Sequence, residues 1–141
     1  MPVPITYTVK SGGTLVHAVG FDTIANEDIV AYTCLVAEDP SIQPGARELV
    51  DFRAVSGTTV TREGLEHVVV HDKLYADKFT GWHCAIVVES DQHYGWSKVF
   101  ATLEEMMDAP AETQVFRSID EACKWLGIEV EDLEAGEPPA A

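Results

Sequence analysis

"ELVDFRAVSGTTVTREGL", residues 48–65, decides how the chain is read. "ELVDFRAV" is an apolar run of strand length, and "SGTT" is a hydroxyl-rich turn. Thr61 then stands where a helix cap belongs, with Glu63 in the first turn and Leu65, Val68 and Val69 on one helical face. A strand leading through a turn into a helix is the repeating step of an α/β protein. The turn itself has three readings: a phosphorylation switch, a ligand cradle, or a helix cap.

Working outward, the same alternation recurs on both sides. "VPITYTVKSGGTLVHAVGF" alternates at Ile5, Tyr7 and Val9, breaks at Gly12-Gly13 and alternates again at Leu15, His17 and Val19, which predicts a β-hairpin. Asn26 precedes Glu27 and Asp28, and Ile29, Val30, Thr33 and Val36 follow at helical spacing until Pro40. Downstream, the Thr61 helix should fade near Lys78. "WHCAIVVES", Trp82–Ser90, is almost continuously apolar and reads as the most central strand. Asp91 is placed to cap the next helix, whose stripe is Trp96, Val99, Phe100, Leu103, Met106 and Met107, ended by Asp108-Ala109-Pro110. "TQVFRS" is a further strand. Ser118 and Glu121 lie at capping-box spacing, and Gly127 suits a helix C-terminus.

The predicted order is β-β-α-β-α-β-α-β-α: an α/β fold with a mostly parallel, four- to five-stranded sheet and an N-terminal antiparallel hairpin. A single domain is expected over residues 1–133, with an acidic, Pro-rich flexible tail at 134–141. With 24 acidic against 9 basic residues, the formal charge of −15 argues against nucleic acid and anionic membranes as partners. No apolar run is long enough to insert in a membrane, and no charged leader is seen. The odd set of Cys34, Cys84 and Cys123, each in an apolar segment, favours a reducing cytoplasm.

The order of elements, with the segments "ARELVDFRAVSG", "AIVVESDQHYGWSKVF" and "QVFRSIDEACKWLG", resembles the SpoIIAA-like or STAS-type bacterial proteins over about Ile5 to Gly127. That family is related in fold to the anti-sigma-factor antagonists, in which a serine at the start of the helix after an Asp-bearing strand is phosphorylated by a partner kinase. Laying Asp51 on the strand Asp puts Thr59-Val60-Thr61 on the Asp-Ser-Ser positions, so the acceptor position is Val60, which has no hydroxyl. Ser56, Thr59 and Thr61 are then the candidates for phosphorylation in a shifted register. The alternative is that Thr61 is a cap and Ser56-Gly57 a turn.

Other residues are weighed from their own chemistry. "SDQHYGWSKVF" follows the apolar strand at the edge where open α/β sheets collect ligands. A pocket is expected between that segment and the Ser56–Thr61 turn, with Arg53, Ser56, Gly57, Thr59, Thr61, His93, Tyr94 and Trp96 as the candidate ligand-binding residues. Tyr94 and Trp96 serve equally as helix packing, and Arg53 as a local ion pair with Asp51 or Glu48. Glu63, His67 and His71 recur every four residues and could share a metal on one helix face, or simply be a solvated face. His83 and Cys84 point to opposite faces of a strand and so cannot activate one another.

No catalytic set assembles, and no cofactor is expected. The primary expectation is a non-catalytic regulatory module that binds a protein partner or a small, partly apolar ligand. The alternatives are a phospho-regulated antagonist and a metal protein or enzyme using His67 and His71. Self-association through the hairpin edge or an exposed helix face is left open.

Overall fold

The computed structural model describes residues 4–134. Period-two alternation from Ile5 produces β1 (Ile5–Lys10), which turns through a 3-10 segment and returns as β2 (Leu15–Ile24). The expected Gly12-Gly13 break is that segment. Gly12 and Gly13 both take positive φ, and a Cβ on Gly13 would sit 2.3 Å from the Ser41 carbonyl oxygen. The chain continues as α1 (Asn26–Glu38), β3 (Arg47–Thr58), α2 (Arg62–Leu74), a one-turn α3 (Ala76–Phe79), β4 (His83–Val87), α4 (Asp91–Met106), β5 (Glu112–Phe116), α5 (Ile119–Leu126) and a short α6 (Val130–Glu134).

The five strands lie in the spatial order β1-β2-β3-β4-β5, with β1 antiparallel to β2 and every other pairing parallel. The fold is the α/β architecture expected from the sequence, and the hairpin supplies its antiparallel edge. Helices α1, α2 and α4 cover one face. There Val16, Val50, Ile86 and Val88 meet Tyr32, Val36, Phe79 and Trp82. Helices α5 and α6 cover the other, where Leu15, Leu49, Ala85 and Val87 meet Ala122, Cys123, Leu126 and Leu133.

Several expected details change. β3, not β4, is the middle strand, although the apolar run of β4 is buried on both faces as its composition required. Ser56-Gly57 is not a turn. β3 runs through it to Thr58, with Gly57 paired to Thr23 and Thr58 to Ile24, because two register shifts, each taking up one extra residue of β3, let the pair of strands extend. The cap of α4 is Ser90, whose hydroxyl accepts from the His93 N–H at 3.1 Å, with Asp91 one residue inside. α2 stops at Leu74, and α3 carries the chain on past Lys78. Met106, expected in the apolar stripe of α4, is exposed, and Glu104 is buried instead. The expected tail lies outside the described residues from 135 onward, while Leu133 just before it is packed under α5.

Candidate functional site

Parallel register sets three side chains in a row across the sheet. Glu48 of β3 pairs with Cys84 of β4, and Cys84 with Thr113 of β5. Two residues farther along, the same face carries Val50, Ile86 and Val115, so the row of polar groups gives way to an apolar floor. Helices running back over the sheet bring Tyr32 of α1, Asp72 of α2 and Glu104 of α4 onto the polar row. The Tyr32 hydroxyl donates to Glu48 Oε2.

Between that row and the apolar floor lies a cavity of about 110 Å3. Its walls include Ile24, Ile29, Val55, Leu65, Trp96 and Phe100, and its polar members are concentrated at the amino ends of the strands. Glu48, Asp72, Cys84 and Glu104 all line it, as does His93 near the opposite, carboxyl end of the sheet.

The electrostatics of the row follow from burial among like charges. Burial, reinforced by the neighbouring Glu48, pushes the Asp72 carboxyl up to about 8. Glu104 is only 5% exposed, and burial pushes it up to about 8 as well, against a hydrogen bond from Thr113 and with Asp72 and Glu48 adding to the rise. Glu48 is raised by burial, partly offset by hydrogen bonds from Tyr32 and Cys84. The Cys84 thiol is raised well above its ordinary value by burial and by the carboxyls around it, a direction opposite to that of an activated nucleophile. Asp72 Oδ1, Glu104 Oε1 and His93 Nε2 are buried without a hydrogen-bond partner in the protein.

The residues singled out from sequence divide between this cavity and other places. His93 and Trp96 line it, together with Thr58 and Val60 from the end of β3 and the start of the α2 turn. Thr61 caps α2, accepting from the Gly64 N–H at 3.0 Å, and is tied to α1 by two hydrogen bonds with the Asn26 amide. Thr59 is exposed and its N–H donates to the Ile24 carbonyl. Ser56 is exposed on β3, and Gly57 is paired within the sheet. Arg53 makes a two-pronged ion pair with Asp51 at 3.0 and 2.9 Å. It lines a separate surface groove with Ala54, Glu89 and Arg117. Arg117 in turn bonds Asp91 at 2.7 Å and stacks over Tyr94, which is itself partly buried against the core.

Glu63 and His67 are exposed, whereas the His71 Nε2 atom lies 3.0 Å from Cys34 Sγ on α1. Among the described residues, no group of three or more His, Cys, Asp and Glu side chains is arranged to hold a metal ion. His83 is exposed and pairs with Glu112 while Cys84 is buried on the opposite face.

Glu48, Asp72 and Glu104 were not among the candidates, yet their positions were written in the periodicity. Glu48 shares its strand face with Val50 and Phe52. Asp72 follows Leu65 by seven residues, and Glu104 follows Phe100 by four, so both fall on the apolar faces of their helices.

No family model matches the chain, and no curated protein matches its sequence. Among solved structures, an uncharacterised protein of the DUF3478 family from Shewanella loihica PV-4, with a SpoIIAA-like fold, superposes with a TM-score of 0.54. The two are 14% identical, and the match covers 86% of this chain and 93% of that one. No helix of the described residues is long and apolar enough to cross a membrane.

Proposed function

Since the chain has the SpoIIAA-like fold, on which a function must still be argued from the site, we propose that it is a binding module for a small, largely apolar ligand held between the sheet and helices α1, α2 and α4. The observation that carries this reading is the apolar cavity with polar groups gathered at one end, the usual form of a small-molecule site. At about 110 Å3 it suits a ligand near the size of one ring or a short alkyl chain; an apolar cavity of roughly 150 Å3 holds benzene. The module is regulatory rather than catalytic, a reading supported by the raised pKa of Cys84, which disfavours its thiolate. A cytoplasmic setting fits its three free cysteines.

The ligand reading is preferred to a phosphorylation switch because the hydroxyl at the start of α2 has structural work and the acceptor position has no hydroxyl. Thr61 is occupied as a cap and as a tether to Asn26, and Val60 faces the cavity rather than a kinase. Native mass spectrometry of gently purified protein, followed by titration with 1-hexanol observed by NMR, tests the proposal. Retained mass or chemical-shift changes confined to the cavity-lining residues are expected. A bare chain that does not respond to millimolar hexanol would overturn it.

A further inference from the structure

Resting on the ligand-binding reading above, we infer that the cavity recognises an organic cation: a short apolar body bearing an ammonium group that seats among Glu48, Asp72 and Glu104. Three carboxyls converge on one end of the cavity from three different elements, β3, α2 and α4. The other ionisable groups lining the cavity are Tyr32 from α1, Cys84 from β4 and His93 from the opposite end of α4; no Lys or Arg is among its walls. His71, next to Asp72 on α2, is turned to Cys34. The acids therefore face one another without a basic partner.

Buried carboxyls without a counter-charge are costly, and natural proteins rarely leave such groups unpartnered. Here the omission is specific. Glu104 is 5% exposed and lines the cavity with Oε1 unpartnered, and Asp72 Oδ1 is likewise buried and unpartnered. An ammonium group carries both the donors and the positive charge that these atoms lack.

The geometry discriminates among ligand classes. An anion would meet carboxyls, a thiol, a phenol and the Thr113 hydroxyl at the polar end, with no positive charge among them. A metal ion is disfavoured because the side chains do not form a metal-holding group, and because the adjoining floor of Val50 and Ile86 is apolar. An alkyl or aryl amine satisfies both ends. The carboxyls are raised by burial and by each other, so the free protein holds protons there that an arriving cation must displace. Binding should release protons to solvent and strengthen as pH rises toward about 8, well below the range near 10 where an alkylamine loses its own charge.

The test compares hexylammonium, 1-hexanol and hexanoate on the full chain, by isothermal titration in buffers of different ionisation enthalpy and by NMR. Hexylammonium is expected to bind at least tenfold more tightly than hexanol at pH 8, with proton release at pH 7 and no measurable binding of hexanoate. Glu104→Gln and Asp72→Asn should each narrow the ratio of hexylammonium to hexanol affinity. Binding of hexanol as tight as that of the amine would overturn the cation inference and leave the cavity reading standing. So would uptake of the amine without proton release, or a cation preference surviving in both variants. Failure of every probe to bind would overturn both. Proton release is read on the unmodified protein, so the test does not depend on either variant folding.

Discussion

Glu104 and Asp72 show how one buried side chain makes stability depend on pH. Both carboxyls lie near 8 in the folded protein and near their ordinary values when unfolded. Between those limits the folded chain holds protons that the unfolded chain has released, so stability falls as pH rises. The favourable contribution is complete below about 4 and is lost as pH passes through about 8, with a slope per group of at most about 1.4 kcal/mol per pH unit. The thermal midpoint should therefore drop between pH 5 and pH 8, and Glu104→Gln, which cannot ionise, should flatten that drop. Identical pH profiles for the two proteins in calorimetry would refute the assignment. Gly64 makes a different residue-level point. A Cβ there would lie 2.0 Å from Asn26 Cγ, on the amide that bridges to Thr61. Gly64→Ala is expected to cost about 1–3 kcal/mol through overcrowding. Adding Asn26→Ala should recover part of it, so that chemical denaturation of the pair departs from additivity.

At the scale of elements, the N-termini of α1 and α2 are fastened together by Asn26 and Thr61. Thr61→Ala removes a cap and a tether at once and should cost about 1–2 kcal/mol, whereas Thr59→Ala, at an exposed hydroxyl two residues earlier, should be nearly neutral. Equal midpoints in urea would remove the structural role from Thr61 and return weight to a switch. Much of this level was legible in the sequence, since alternation, helical stripes and the Ser118 and Gly127 signals act locally and were present in the chain at their proper spacing. Ser56-Gly57 was misread because a hydroxyl and a glycine signal a turn locally, while pairing with β2 kept them in the sheet. The candidate site was legible in one half. His93 and Trp96 lie on the cavity, because the carboxyl edge of the sheet is a topological place. A carboxylate on an apolar stripe looks like an interruption of the stripe, and only strand register shows that Glu48, Cys84 and Thr113 align beneath Asp72 and Glu104.

For the whole molecule, a formal charge of −15 on 141 residues sets a background against which every local contact works. Like charges spread over a compact surface repel one another more than they do along an unfolded chain, so net charge of this size lowers stability. Few ion pairs relieve it among the described residues: Arg62 with Glu66 and Arg117 with Asp91 are largely exposed, Arg53 pairs with a largely buried Asp51, and His83 with Glu112 requires a protonated ring. Exposed pairs of this kind contribute little each. Salt should consequently act in the direction opposite to that expected of a protein held together by surface ion pairs. Raising ionic strength from about 0.01 M to 0.15 M shortens the screening length from about 30 Å to about 8 Å, which weakens repulsion across the whole surface more than it weakens the few attractive pairs. The thermal midpoint at pH 8 should rise with sodium chloride over that range. At pH 5 the rise should be smaller, because the buried carboxyls of Asp72 and Glu104 are then protonated and the net negative charge is lower. A midpoint that falls with added salt at pH 8 would show that specific pairs, and not the collective field, dominate the electrostatics of the fold.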